Sequence, residues 1–312
     1  MNTEQLVSKQ DPGVVGEKGN PTKITPLGPG SMMWNDFGSY IYHLMLPQAF
    51  VLQSAHPVID MAITRDKKYL HDPWGRAKNS TALLWPIVYA RPEKAIAMGK
   101  SLRELHRNIK GETPDGRRFH ALDPEAYSWV HITGFDASLR LYTFFGKNLS
   151  ALQRAQLFTE WKMMGAMLGI RECDIPQTEE DYWKYFNRII SERLEYGEAL
   201  VDLLNPRYFS NYPKPKMLHY LPNLAWKALM TPVGWVAHKV CVATLPINFR
   251  EKLKIKFSRR DEILFNGFSW FVKKLYPLLP EKARYIPLAR KAWNDAHQNP
   301  EFYDVKGEEV CF

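Results

Sequence analysis

The stretch RPEKAIAMGKSLRELHRNIKG, residues 91–111, decides the reading of this chain. Pro92 suits a first helical position, where its missing N–H would have no intrahelical partner. Gly111 reads as the closing residue, since glycine accepts the left-handed geometry that ends helices. Between them, Gly99, Leu102, His106 and Ile109 recur at helical spacing. The spacing predicts a helix with one histidine on a mainly apolar face. Arg103 lies on the adjoining edge, placed to meet a carboxylate.

The same punctuation extends outward in both directions. Trp34 to Ile63 is a long apolar region that Pro47 and Pro57 should break or kink. Pro73 begins a further helix, which Pro86 bends or ends. TPDGRRF, 113–119, carries turn chemistry suited to a small hairpin. Asp123-Pro124 opens a helix running to about Phe145. Ser150 with Gln153 forms a capping box, in which each side chain satisfies a free backbone N–H. Thr178 caps a helix extending to about Leu204; 205–250 is proline-rich and less regular. A last amphipathic helix covers roughly Asp261–Leu275. Alternating strands are scarce, so the fold class is all-α. The expected organisation is an extended arm at 1–30, one helical domain at 31–296 and a tail at 297–312.

Of the 312 residues, 45% are hydrophobic, enough for a sizeable core, and ten are Trp. The formal charge is +9. No nucleic-acid signature accompanies it, so a nucleic-acid partner is not expected. Trp, Phe and Lys interleave through 221–280, a pattern suited to peripheral contact with an anionic membrane surface. Cys173, Cys241 and Cys311 are scattered, and the N-terminus lacks the apolar run of a secretory signal. A reducing, cytoplasmic setting is the expectation, at most peripheral to a membrane.

GxSxG, HExxH, Walker and GxGxxG motifs are absent, as are CxxC pairs. No two histidines stand four apart. Isolated histidines in apolar helical settings remain. His56 precedes Pro57 at a predicted kink, and the ordinary reading is a bond to a carbonyl that the proline frees. His106 has Gly99 and apolar neighbours, a flat surface that a planar cofactor needs. His131 shares that logic, with Tyr127, Gly134, Phe135 and Ser138 on its face. From the residues alone the two compete evenly, each against the plain reading of a core histidine. Arg76, Lys78, Asn79, Ser80 and Thr81 gather donors at a helix start, able to hold an anion or steady bound dioxygen. The plain reading there is an exposed helical turn.

The ordered set LQSAHPVIDMAIT, DPWGRAKNST, LRELHRNIKG, RRFHALDPEAYSWVHIT and EWKMMGAMLGI resembles the oxygenase domain shared by latex clearing protein, a rubber oxygenase, and the fungal oxygenase MpaB. The resemblance covers about 34–290. It implies a globin-like helical domain enclosing one haem b. A helical Arg-x-x-His supplies the iron ligand in the rubber enzymes, and Arg103-Glu-Leu-His106 matches it. Their Arg-x-x-Lys-Thr cluster reads Arg76-Ala-Lys-Asn-Ser here. Arg76 matches, Asn79 replaces the lysine and Ser80 the threonine. Lysine coordination of the resting iron is therefore not carried over. Asp60 has the spacing of the acid thought to act as base. The implied activity is haem- and dioxygen-dependent oxidation of a small apolar, isoprenoid- or lipid-like substrate, including cleavage of a C=C bond. The alternative is haem or lipid binding without turnover. The localisation that a membrane anchor gives the fungal enzyme is not expected to carry over.

Overall fold

Proline and short polar side chains set most helix starts. In the computed structural model, residues 22–113, 115–303 and 308–310 are described. The expected arm at 1–30 and Cys311 lie largely or wholly outside them. Strand β1 (Thr22–Ile24) leads into α1 (Met32–Asp36), α2 (Leu46–Ser54) and α3 (Pro57–Thr64). Pro47 and Pro57 both stand at helix starts, so they begin helices instead of breaking one.

Helix α4 (Lys68–His71) precedes α5 (Pro73–Tyr89) and α6 (Pro92–Arg107). Asp72 caps α5 by accepting from Gly75 N, and the helix continues through Pro86. Helix α6 ends earlier than expected, at Arg107. Gly111 lies instead in strand β2 (Lys110–Glu112), which pairs antiparallel with β3 (Arg118–His120). The hairpin expected at 113–119 forms there, with Gly116 at positive φ and its N–H donating to Thr113 O, while Pro114 lies outside the described residues.

Helix α7 (Pro124–Phe145) is capped by Asp123, and α8 (Ala151–Met167) by the Ser150/Gln153 box. Helix α9 (Glu179–Glu192) starts at the Thr178 cap but does not reach Leu204. The chain breaks there, because Leu194 is buried and Glu195 N turns to Ala55 O. A separate α10 (Glu198–Leu203) follows.

The segment read as irregular holds one of the two longest helices, α11 (Asn223–Thr244), which passes through Pro232. Proline costs that helix one hydrogen bond and a local bend. Helix α12 (Ile247–Lys252) and α13 (Arg259–Leu275, with a Ser258/Asp261 capping box) follow. Helices α14 (Glu281–Arg284) and α15 (Pro287–Gln298) complete the set, and β4 (Glu308–Val310) pairs antiparallel with β1.

The fold is thus all-α, with two short strand pairs among the described residues. Helix α7 is its axis: Trp129, Ile132, Phe135, Ala137, Leu141 and Phe145 are buried. Helices α2, α8 and α13 pack around it. Glu160 of α8 reaches the start of α1, accepting from Met32 N and Met33 N at 2.9 Å each. A carboxylate at a helix N-terminus satisfies free amides and meets the positive end of the dipole.

Candidate functional site

Helices α5 and α6 are joined by two residues and pack along each other as an antiparallel hairpin. Arg76 stands 13 residues before the end of α5, and His106 stands 14 residues after the start of α6. Both therefore lie about 20 Å from the turn, at the same end of the hairpin.

Three residues at successive turns of α6 have distinct jobs. Gly99 faces the last turn of α8, where a Cβ would sit 2.0 Å from the carbonyl oxygen of Met167. Only glycine permits that crossing, so Gly99 serves helix contact and not a flat floor for a cofactor. Arg103 Nη1 donates to Gly169 O at 2.9 Å, just past the end of α8. A cation there meets the negative end of the helix dipole. Its Nε is buried with no hydrogen-bond partner.

His106 follows. Its Nδ1 lies 2.7 Å from Leu102 O, so Nδ1–H donates and the lone pair resides on Nε2. Nε2 has no hydrogen-bond partner among the described residues. The ring is half-buried and edge-on to Tyr127, with centroids 5.6 Å apart. Burial lowers its pKa from the ordinary histidine value, keeping the ring neutral. A neutral imidazole, fixed through one nitrogen and free at the other, is the arrangement of a metal-ligating histidine.

His131 is placed differently. Its Nε2–H donates to Trp161 O at 2.7 Å, and the ring packs 5.1 Å from that indole. Gly165 lies against it: a Cβ there would be 2.9 Å from Nε2. Burial pushes the ring's pKa down to about 4. The void beside it is about 20 Å³, room for roughly one water. Tyr127, expected on the His131 face, touches His106 instead and donates its hydroxyl to Leu168 O at 3.0 Å.

Arg76 has its guanidinium 4.0 Å over the Phe50 ring, with Tyr208 and Tyr212 nearby. No carboxylate pairs with it among the described residues. Burial lowers its pKa from the usual guanidinium value. Asn79 and Ser80 are exposed on the following turn, and neither makes a side-chain hydrogen bond among the described residues. The first-turn amide expected for an anion is taken by Asp72, whose carboxylate lies 3.0 Å from Gly75 N. No hydrogen bond or ion pair links Arg76 to His106 among the described residues.

Asp60 is engaged elsewhere. Its carboxylate accepts from Ala199 N at 2.8 Å and Glu198 N at 3.3 Å, capping α10. Burial raises its pKa, partly offset by those amides. His56 is buried, with Nε2 3.3 Å from Glu125 Oε1 and Nδ1 without a partner. The expected carbonyl bond is thus replaced by a carboxylate, which also accepts from Arg193 Nε at 2.6 Å.

A cavity of about 290 Å³ opens where α7 meets α8, lined by Asp136, Arg140, Phe144 and Trp183 among others. None of the candidate residues lines it. No group of three or more His, Cys, Asp or Glu side chains that could hold a metal occurs among the described residues. No described helix is long and apolar enough to cross a membrane.

The site thus combines a histidine tied at Nδ1 to a carbonyl, with no hydrogen-bond partner at Nε2, and an arginine without a paired carboxylate at the same end of the neighbouring helix, among the described residues of an all-α domain. Residues 34–274 match the family of the ER-bound oxygenase mpaB/B′ and rubber oxygenase catalytic domain, and the chain belongs to that family. It is an oxygenase domain by descent. No curated relative and no solved structure matches it.

Proposed function

We propose that the protein is a haem b-dependent oxygenase acting with dioxygen on an apolar, unsaturated substrate such as an isoprenoid or lipid. The observation that carries this reading is the free Nε2 of His106, set against the engaged Nε2 of His131. The donor set fits the cofactor: one neutral imidazole with its other nitrogen tied to a carbonyl. His106 would hold the iron, and Tyr127 would fix its ring plane. Arg103 would brace that end of α6 against α8, and its unpartnered Nε is a donor for a propionate.

Haem, when bound, supplies activation of dioxygen for oxidation of a carbon–carbon double bond. Arg76 supplies an unpaired, partly desolvated cation at the same end of the hairpin, where positive charge counts for more than in water. Asn79 and Ser80 add neutral donors one turn on. Asp60 is assigned a positioning role, since both its oxygens hold α10.

A second reading is haem or lipid binding without turnover. Asn79 in place of the lysine and the engagement of Asp60 favour it. Visible spectra of the protein made with haem precursor, beside His106→Ala and His131→Ala, test the assignment. A Soret band lost only in His106→Ala is expected. No band after haemin reconstitution would overturn the haem reading. Dioxygen consumption with alkenes separates turnover from binding.

A further inference from the structure

The positive charge of this chain is not spread evenly. Residues 203–288 contain 15 Lys and Arg against four acids, a net +11, so the rest of the chain carries −2. No acid occurs between Asp202 and Glu251. The same segment holds 15 of the 23 exposed large hydrophobic residues among those described. Neither the hairpin site nor its chemistry accounts for this coincidence.

Helix α13 concentrates both properties. Phe265 is buried, and Phe268 and Val272 pack against the core. Ile263, Leu264, Trp270, Phe271 and Leu275 form a second apolar stripe at helical spacing, and it faces solvent. Trp270 is 63% exposed and Phe271 55% exposed. A Cβ at Gly267, within the stripe, would meet nothing within 4 Å. The stripe continues past the helix at Leu278, 78% exposed. Cations flank it at both ends: Arg259 and Arg260 before, Lys273, Lys274 and Lys282 after. The acids within α13 are already paired, Asp261 with Lys239 at 2.6 Å and Glu262 with Arg259 at 2.7 Å.

We infer that the outer face of α13, with the basic segment around it, docks on the surface of an anionic lipid bilayer. Trp270 and Phe271 enter the interfacial layer and the flanking lysines meet lipid phosphates. Apolar side chains rimmed by Lys and Arg are the features that hold a helix in a bilayer's interfacial plane. A second copy of this chain fits the face less well, because association through it would bring two surfaces of the same high positive charge together. The inference does not depend on haem and goes beyond the oxygenase reading.

The test is cosedimentation of the full chain with vesicles of phosphatidylcholine and phosphatidylglycerol at 7:3, beside pure phosphatidylcholine. Binding to the mixed vesicles is expected, at least tenfold weaker to the neutral ones and at least tenfold weaker in about 0.5 M salt. Trp270→Ala/Phe271→Ala should weaken it at least tenfold, with an unchanged circular dichroism melt. Leu152→Ala, an exposed residue outside the segment, should leave it unaltered. Absence of binding to the anionic vesicles, or binding that the double variant does not change, would overturn the inference. So would light scattering showing a dimer that the double variant dissolves.

Discussion

The C-terminal end of α6 and the middle of α7 look alike as strings of letters, and the chain uses them in opposite ways. Each has a histidine on an apolar helical face, with a glycine in the same helix. His106 sits half-buried with Nε2 open, whereas His131 is locked between Trp161 and Gly165. The difference comes from the neighbour across the gap. Helix α8 passes α6 beside Gly99, about two turns from His106, and leaves that ring half-buried with Nε2 open. It passes α7 directly at His131 and covers it. An apolar histidine is thus left with an open nitrogen or locked into the core according to what the next helix does.

Gly99→Ala should break the α6 side most severely. The methyl would press on a backbone oxygen, which a side-chain rotation cannot relieve. We expect a loss of about 3 kcal/mol or more in urea unfolding. Under the proposed haem assignment it should also remove haem binding in the folded fraction, because α6 can no longer seat against α8.

The α7 side should respond to pH. His131 is harder to protonate in the folded chain than in the unfolded one, so it lowers stability as pH drops from 6.5 towards about 4. The size is about 3 kcal/mol over that range. Asp36, raised by burial to about 6, acts in the opposite sense, losing stability as pH rises from 3.8 through 6. Comparing wild type with His131→Gln isolates the histidine: the variant should show a distinctly smaller fall between pH 6.5 and 4. Equal slopes would mean that His131 is not the buried neutral group described.

A smaller effect sharpens the contrast from the hairpin's flank. Asp60→Ala removes the cap of α10 and should cost about 1–2 kcal/mol. Haem loading should be unaltered if Asp60 only positions α10. The smallest effect belongs to His106→Ala, which should change the stability of the cofactor-free protein by less than about 1 kcal/mol. Comparable losses from His106→Ala and His131→Ala without haem would erase the distinction between the two regions.

Helix starts were the most legible part of the chain. Pro92 lacks an N–H where none is needed, and Asp123, Ser150 and Thr178 accept from amides three residues on, so the information is local. What lay in other segments was not legible. The partner of Gly99 is a carbonyl 68 residues away, and that of Arg103 another at 66. Backbone carbonyls leave no trace in residue type. Glycine at a helix crossing looks the same as glycine under a flat cofactor. Helix α11 is not legible because Pro232 and its exposed first half erase the apolar periodicity that marks a packed helix. Asp60 sits where an acid is wanted by spacing, yet the amides of α10 claim it, and nothing near residue 60 announces them.

The hairpin of α5 and α6 also acts as a ruler. Arg76 and His106 are measured from one two-residue link by 13 and 14 helical steps. Each step turns a side chain by about 100° and moves it about 1.5 Å. Deleting one residue between the link and either side chain would swing that side chain out of phase while leaving the composition almost unchanged. Lengthening the link would slide the helices but keep both phases. Inheritance of the proposed site would therefore be a matter of counting: the number of residues between the link and each side chain is what sets where both side chains stand.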